Sequence, residues 1–355
     1  MARTKANQLI LLDDDPMFPS TRFQGSKLKI VDWIGEEIMG LKFNMALDAF
    51  GGTGSVAYIL KEQGKQVTYN DILKFNYYIA LALIENDNVT LSNNDIIFLL
   101  TKHPKTEYPS FIATTFKDIY YTDDENNWID MVATNIRFMA DKYKQALAYF
   151  ALFQACIIKR PFNLFHRKNL YLRLAEVDRE FGNKSTWDTP FEIHFKKFVE
   201  EANNAVFSNG QKNLALNLDI FDMEGDYDLV YIDTPYISNK GIGTDYFGFY
   251  HFLEGLVNYE LWPDMIDYRT KHKKLKSKPS VWIDKNRIHK AFDRLFEKFR
   301  DSILVVSYRS DGIPSITELE YMLSKYKRTI HEIKRKDYKY ALSSNEVKEV
   351  LLIGE

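Results

Sequence analysis

The segment from residue 45 to residue 85 most constrains the fold of this chain, because strand, turn and helix signals alternate within it. A glycine turn, Gly51-Gly52-Thr53-Gly54, separates an apolar run from an amphipathic one. The predicted elements are strand Met45–Phe50, helix Ser55–Gln63, strand Gln66–Tyr69 and helix Ile72–Glu85. Strands that alternate with helices pack as a largely parallel sheet covered by helices. The sequence therefore predicts an α/β fold.

The middle of the chain interrupts this alternation. Residues 87–210 are aromatic, mixed in charge and mostly helical as far as Lys159, and they become irregular after it. Strands are predicted again at Leu214–Leu218, Leu229–Ile232, Ser302–Tyr308 and Val347–Ile353. We expect the last of these to be an edge strand, antiparallel if it pairs with Thr329–Lys336. The pattern predicts an α/β core formed by residues 1–86 and 211–355, with residues 87–210 as an inserted domain.

The bulk composition excludes several classes of protein. A hydrophobic share of 45% and a charged share of 27% are typical of a soluble globular protein. The single Cys156 excludes an intramolecular disulfide, and the seven histidines show no zinc-binding spacing, so no metal site is predicted. No apolar run approaches the roughly 18 residues of a membrane helix, and no secretory signal is visible. We expect a cytoplasmic protein without a membrane partner.

The net charge of −2 hides a segregation of charge along the chain. Residues 269–290 hold nine Lys or Arg and one acid, and residues 159–173 hold five and no acid. In the second stretch the basic residues alternate with rings and amides, which suits contacts to phosphates and base edges. Solvated surface faces of ordinary proteins have a similar composition. A near-neutral protein with separated basic stretches can nevertheless present one positive face to a nucleic acid, and the solvated surface is the alternative for each stretch.

The glycine turn points to a nucleoside ligand that carries a positive charge. A dinucleotide fingerprint needs a third glycine where this chain has Val56 and Ala57, and no phosphate-binding lysine follows Gly54. Asp48, before the turn, suits a cationic group, and Asp71, after the second strand, is placed to accept ribose hydroxyls. S-adenosylmethionine fits both features. A tight turn without a ligand is the alternative.

A second polar turn follows a buried strand later in the chain. The apolar run that ends at Ile232 leads directly into Asp233-Thr234-Pro235-Tyr236. The carboxylate and the loop carbonyls can accept N–H bonds, the proline stiffens the loop, and the tyrosine ring can stack. Such a loop is suited to a flat ring that bears an amino group. A strand end followed by an ordinary turn is the alternative.

Taken in order, these segments resemble one enzyme family. Phe23-Gln24-Gly25-Ser26-Lys27, the stretch Asp48–Gly54, Asp71 and the loop at Asp233 are similar to motifs of Dam-like, alpha-group DNA N6-adenine methyltransferases of the restriction-modification type. The stretch Asn169–Arg173, followed by Phe181-Gly182-Asn183, resembles that family's recognition region more loosely. The resemblance implies a Rossmann-like core that uses S-adenosylmethionine, with an inserted, mainly helical target-recognition domain.

The resemblance also assigns roles to residues of this chain. The implied cofactor pocket comprises Phe23, Lys27, Asp48, Phe50, Gly52, Gly54, Asp71 and Asp219. The implied catalytic residues are Asp233, Thr234, Pro235 and Tyr236, with Tyr236 stacked on an adenine flipped out of the duplex. Thr234 departs from the family pattern, which has a proline there.

Double-stranded DNA is the implied partner, and a separately encoded restriction endonuclease is a possible second one. The DNA-binding residues predicted from the basic stretches are Lys159, Arg160, Asn163, Arg167, Lys168, Asn169, Arg173, Lys273 and Lys274. Three alternatives stay open: an N4-cytosine DNA methyltransferase, a glutamine N5-methyltransferase of proteins, and a non-catalytic DNA-binding module on the same fold. The sequence predicts neither the recognition site nor the oligomeric state.

Overall fold

A computed structural model describes residues 17–176, 184–337 and 347–355. Within these ranges a seven-stranded sheet has the order β3-β2-β1-β4-β6-β9-β8, and β5 pairs with β7 in a small second sheet. The strands are β1 Met45–Asp48, β2 Gln66–Asn70, β3 Leu214–Leu216, β4 Leu229–Ile232, β5 Ile237–Ser238, β6 Ile303–Arg309, β7 Gly312–Ile313, β8 Lys334–Asp337 and β9 Lys348–Gly354. This sheet confirms the predicted α/β class.

Parallel pairing fixes where the polar turns lie. β3, β2, β1, β4 and β6 all run parallel, so their carboxyl ends meet at one edge of the sheet. β9 runs antiparallel to both β6 and β8. The predicted antiparallel pairing of the last strand is therefore confirmed. The prediction that it is an edge strand is wrong, because β8 covers its outer side.

Helices pack on both faces of the sheet. They are α1 Val31–Met39, α2 Ser55–Glu62, α3 Lys74–Ala80, α4 Asn93–Leu100, α5 Phe111–Thr115, α6 Asp123–Phe138, α7 Lys142–Ile158, α8 Leu170–Leu174, α9 Lys184–Asp188, α10 Phe191–Asn204, α11 Tyr246–Phe249, α12 His251–Val257, α13 Trp262–Met265, α14 Ile288–Lys298 and α15 Ile316–Ser324. A π-helix, Leu81–Glu85, extends α3, and 3-10 turns lie at Lys27–Ile30, Pro161–Asn163, Ile220–Asp222 and Val281–Ile283. In the described ranges no helix is both long and apolar enough to span a bilayer.

Alternate residues of the inner strands bury two separate cores. Tyr231 and Val305 face a large cluster that includes α1, α2, α3, α7 and α10. Val230 and Leu304 face a smaller cluster that includes α14 and α15. Because both faces are covered, these strands are apolar throughout instead of alternating with polar residues. The high aromatic content serves this packing, since most of the buried rings belong to the two clusters.

The inserted residues share the larger core with the sheet. α7 is buried along most of its length and packs against α3, α10 and the π-helix. The segment that follows the second polar turn joins the same region, because Phe252 and Trp262 contact the ring of Phe116 at centroid distances of 5.1 Å each. The division into a core and an inserted domain of residues 87–210 stays a prediction.

Candidate active site

One cavity of about 710 Å³ lies at the edge where the parallel strands end. Four predicted acids line it, each at the carboxyl end of a different strand. Asp48 is the last residue of β1, and Asp71, Asp219 and Asp233 follow β2, β3 and β4. β1 lies between β2 and β4, so the strand order reverses direction there. Open α/β sheets bind ligands in the crevice at such a switch point. The topology therefore brings together acids that are far apart in the sequence.

The glycine turn lets the backbone approach the cavity closely. A Cβ at Gly51 would lie 1.9 Å from the Tyr69 ring, so any larger residue would force that ring away. Gly54 begins α2 with a φ of 77°, a left-handed conformation that glycine adopts at little cost. Gly52 lines the cavity, whereas Gly54, also predicted as a cofactor contact, shapes the turn without lining it.

Asp48 is a buried carboxylate that has no hydrogen-bond partner in the part of the chain that the structure describes. Its side chain is 1% exposed, and neither oxygen accepts a hydrogen bond from the described residues. Burial raises the pKa of this carboxyl well above its usual range, and the nearby charge of Asp233 adds to the rise. The amides of Ala57 and Phe50 act to lower the pKa, and they offset only part of the rise. An unpaired buried acid in a cavity wall is suited to a cationic ligand group.

Asp71 already has three donors within the protein. Its carboxylate accepts bonds from the amides of Gly52 at 2.9 Å and Leu73 at 2.7 Å, and from the Asn76 side chain at 3.1 Å. Burial nevertheless raises its pKa to about 6, because these bonds compensate only in part. A carboxylate has about four acceptor sites, so capacity for a hydroxyl remains. Asp71 thus holds the glycine turn and faces the cavity at once.

Aromatic rings form the wall beside these acids. The Phe50 and Trp282 rings meet edge-on at 4.9 Å, and Trp282 stacks on Phe221 at 5.9 Å. Asp219 caps the short turn that carries Phe221, accepting its amide hydrogen at 3.0 Å. Phe23 also lines the cavity. The sequence prediction missed Trp282, which lies in the basic stretch 269–290 and carries no motif.

A buried charge network surrounds the loop Asp233–Tyr236, the predicted catalytic loop. Lys27 Nζ lies 2.9 Å from Asp233 Oδ1 and 3.3 Å from Glu349 Oε1, and also donates to the Tyr236 hydroxyl. Three acceptors engage all three hydrogens of an ammonium group. Lys27 lines the cavity, and in this conformation its charge is directed to the Asp233–Tyr236 loop; its predicted role as a cofactor ligand stays a prediction.

Tyr236 is also placed differently from the prediction. Its side chain is 4% exposed, does not line the cavity, and packs edge-on against Tyr308 at 5.1 Å. Its hydroxyl lies 2.5 Å from Asp233 Oδ1 and 3.2 Å from Glu349 Oε1. A ring held in this way cannot stack on a base unless it rotates out. In this conformation the Tyr236 hydroxyl donates to Asp233, and stacking of the ring on a base stays a prediction.

The loop leaves acceptors available beside the cavity. Lys27 and Tyr236 both contact Oδ1 of Asp233, and no hydrogen bond from a described residue reaches Oδ2. Within the same described ranges, the Thr234 amide and carbonyl take part in no hydrogen bond, and its hydroxyl lies 3.3 Å from the Pro235 carbonyl. The proline that the family has at this position would therefore break no backbone hydrogen bond of this loop.

The network perturbs both of its central charges. Burial raises the pKa of Asp233 above the usual carboxyl range; the charge of Lys27 opposes the rise and that of Glu349 adds to it. For Lys27 burial acts to lower the pKa, but Asp233 and Glu349 outweigh it and raise the pKa. Perturbed groups of opposite sign in a cleft are typical of functional sites.

Glu349 is the network member that the sequence prediction missed. It lies on β9, is fully buried, and accepts a 2.5 Å hydrogen bond from the Ser307 hydroxyl on β6. Its signal in the sequence is a single acid next to the apolar run Val350–Ile353. Such an acid looks like the solvent-facing residue of an edge strand, and its burial against Lys27, Tyr236 and Ser307 depends on contacts that the sequence does not show.

Four predicted DNA contacts are buried, and three of them have partners inside the protein. Lys159 and Arg173 share the carboxylate of Glu125, at 2.9 Å and 2.6 Å. Arg160 donates to the Leu164 and Arg167 carbonyls, and Asn169 is 4% exposed. The prediction of these four as DNA-binding residues, namely Lys159, Arg160, Asn169 and Arg173, is not supported. A partnered buried charge cannot reach a phosphate without unfolding its surroundings.

The other predicted DNA contacts lie on or near the surface. Arg167 and Lys168 are exposed, and Asn163, Lys273 and Lys274 are partly buried. The two basic stretches meet, as the Tyr120 hydroxyl lies 2.6 Å from the Phe165 carbonyl and 3.0 Å from the His272 carbonyl. Lys278, from the second stretch, lines the cavity. The segment Phe181–Asn183, predicted as part of the recognition region, lies outside the described residues.

The parallel sheet, the glycine turn and the acids at its carboxyl edge define a Rossmann-like methyltransferase. Residues 23–310 match the family model described as D12 class N6 adenine-specific DNA methyltransferase. The chain belongs to this family. The predicted family is thereby confirmed, with adenine as the base, although "Dam-like" describes it only loosely. Residue 349 lies beyond the matched range.

Curated relatives carry the names of Type II methyltransferases. M2.HphI of Haemophilus parahaemolyticus is 31% identical over 325 residues, which is 89% of this chain and 91% of the relative. M.FokI of Planomicrobium okeanokoites is 25% identical over 86% of this chain and 47% of its own length. M.NlaIII of Neisseria lactamica is 22% identical over 85% of this chain and 87% of its own. These names agree with the predicted restriction-modification type.

Proposed function

We propose that this chain methylates N6 of adenine in duplex DNA with S-adenosylmethionine as the methyl donor, and that the cavity of about 710 Å³ is its active site. The observation that carries the assignment of the cofactor is the buried, unpartnered carboxylate of Asp48. When bound, S-adenosylmethionine supplies an electrophilic methyl group on a positively charged sulfur. Asp48 would face that charge, and Asp71 would accept hydrogen bonds from the ribose. The aromatic wall of Phe50, Phe221 and Trp282 would contact the flat base of the cofactor.

Asp233 and Thr234 would hold the target amine. An adenine N6 is poorly nucleophilic because its lone pair is delocalised into the ring. Asp233 Oδ2 and the Thr234 carbonyl, both without a protein donor in the described residues, would accept its two hydrogens. This orients the lone pair toward the methyl group, and positioning of this kind is the main catalytic contribution. The base must leave the stack to reach the loop, as enzymes that act on bases require.

A methylation assay on unmethylated plasmid DNA tests the proposal. We expect transfer of tritium from methyl-labelled S-adenosylmethionine to the DNA, with all the label recovered as N6-methyladenine after enzymatic digestion to nucleosides. The same DNA with the cofactor but without protein is the blank. Label in N4-methylcytosine would contradict the proposed base, and label in the protein would contradict the proposed substrate class.

The DNA duplex would contact the face where the two basic stretches meet. Arg167 and Lys168 come from the first stretch, and Lys274 and Lys278 from the second, beside the cavity mouth. Residues 87–210 would carry the reading of the recognition sequence, with the segment after Tyr246 as a second wall. A separately encoded endonuclease that cuts the same site would complete the restriction-modification system.

The salt dependence of DNA binding reports on this face. We expect Lys274→Ala with Lys278→Ala to reduce the slope of log affinity against log salt by about 2, since each lysine lost removes about one released counterion. Lys42→Ala with Lys212→Ala is the matched control, because both are exposed lysines that precede parallel strands at the opposite edge of the sheet. Equal slopes of log affinity against log salt for the two double variants would show that the second basic stretch does not contact the DNA.

A further inference from the structure

We propose that Glu349 is a positioning residue for methyl transfer, which holds Lys27 and Tyr236 from behind the catalytic loop so that Asp233 keeps one oxygen for the target amine. The inference rests on the proposed function and adds to it a residue from the last described strand, beyond the range matched by the family model. Its basis is the contact geometry of one buried carboxylate.

Glu349 contacts both residues that hold Asp233. Its Oε1 lies 3.3 Å from Lys27 Nζ and 3.2 Å from the Tyr236 hydroxyl. Those two groups are the ones that contact Oδ1 of Asp233, at 2.9 Å for Lys27 and 2.5 Å for Tyr236. Glu349 therefore binds the same donors from the side away from the cavity. Without it, both donors would be free to move toward Asp233 and occupy its second oxygen.

β9 holds Glu349 itself in one place. On β6 the register partner of Glu349 is Arg309, and Ser307 lies two residues away on the same face of the sheet. The Ser307 hydroxyl donates to Oε1 at 2.5 Å, and the glutamate side chain has no exposed surface. A rigid inner strand is a better support for a site than a loop, because its side chains keep their rotamers.

The charges of the network also indicate that Glu349 limits the pairing of Lys27 with Asp233. One lysine lies between two carboxylates, so Lys27 is shared and is not the exclusive partner of Asp233. The charged or titratable groups that face this network from the surrounding elements are Asp48, Tyr231, Tyr246, Tyr308, Arg309 and Lys336. Arg309 pairs with Asp311 at 2.6 Å, and Lys336 is exposed.

Two variants test the inference under single-turnover conditions on unmethylated plasmid DNA. Glu349→Gln keeps the shape and removes the charge, so Lys27 would pair with Asp233 alone. We expect the rate to fall by up to about 100-fold, the size of loss that misplacement of a reacting group causes. We also expect the acidic limb of the pH–rate profile to move to lower pH, because the negative charge that raises the pKa of Asp233 is gone. Cofactor affinity, measured by calorimetry, should be unchanged.

Ser307→Ala is the second variant, and it predicts the opposite shift. The glutamate charge stays but loses a donor, so its field at Asp233 is stronger and the acidic limb should move to higher pH. If Glu349→Gln does not fold, this shift still decides the question. Parental rate and profile in Glu349→Gln, or an unmoved limb in Ser307→Ala, would overturn the inference and leave Glu349 a structural residue.

Asp233→Asn, assayed in parallel, separates this inference from the proposed function. A near-parental rate in Asp233→Asn would show that the loop is not the catalytic centre, and the proposed function would fail with it. An inactive Asp233→Asn beside a parental Glu349→Gln would refute only the positioning role.

Discussion

Replacement of Asp233 by alanine is expected to abolish methyl transfer while cofactor binding persists. Its carboxylate follows β4 beside the cavity, with Oδ1 anchored and Oδ2 without a partner among the described residues. A side chain that accepts a proton during a reaction typically raises the rate about 10²–10⁴-fold. The single-turnover rate of Asp233→Ala should therefore fall by at least that factor. Calorimetry with S-adenosylmethionine should still detect binding, because the cofactor contacts proposed here belong to Asp48 and Asp71.

The pH dependence of the wild-type rate follows from the same residue. Asp233 must be ionised to accept from the amine, and burial raises the pKa of this carboxyl. The rate should therefore be full at high pH and should fall as the pH drops through that raised pKa, above the range of ordinary carboxyls.

A buried acid away from the cavity supplies the control for the alanine variant. Asp130 accepts bonds from the Ile112 and Ala113 amides, both at 3.0 Å, and does not line the site. Asp130→Asn should retain the parental transfer rate at a temperature where both variants are folded. Near-parental transfer by Asp233→Ala would refute the assignment of this loop.

Removal of the charge of Asp48 is expected to weaken cofactor binding strongly. A hydrogen bond to a charged group is worth about 1.5–3 kcal/mol, so Asp48→Asn should raise the dissociation constant for S-adenosylmethionine by roughly 10- to 150-fold. The variant keeps the shape of the side chain, and the glycine turn is held by other residues. Calorimetric titration of the purified protein measures the change directly.

The same variant should make the cofactor-free protein more stable. Asp48 is buried without a partner, and its pKa is raised by burial and by Asp233. The folded protein thus binds this proton more tightly than the unfolded chain, so stability falls as the pH rises from the ordinary carboxyl pKa to the raised one and stays lower above it. Thermal unfolding without cofactor should show a higher midpoint for Asp48→Asn at neutral pH. If Asp48→Asn changed neither the affinity for S-adenosylmethionine nor the unfolding midpoint, the carboxylate would neither bind the cofactor nor destabilise the cofactor-free protein.

The sequence was sufficient to locate the acids of the site. Leu229–Ile232 is a strand with the predicted bounds, because a short apolar run ends at a charged residue. Asp48, Asp71 and Asp233 end or follow parallel strands, and parallel strands necessarily place such residues at one edge. These inferences depend on local patterns and on a general rule of topology, so they need no knowledge of distant contacts.

Partners that are distant in the sequence explain the errors. The basic stretch 159–173 looks like a phosphate-binding loop, yet Glu125 on α6 neutralises Lys159 and Arg173 inside the protein. Lys27 lines the cavity, but the sequence does not show that Glu349 and Tyr236 also contact its ammonium group. Whether a charge is solvated or paired depends on a contact that no local pattern records.

The position of β9 has a consequence for biosynthesis. The strand inserts between β6 and β8, although it is the last of the described strands to be synthesised. A nascent chain that already contains the glycine turn and the catalytic loop therefore still exposes the side of β6 and lacks the carboxylate that faces Lys27. The ribosome must release residues 348–354 before the sheet can close. A chain that has not yet added β9 therefore lacks one member of the charge network around Asp233.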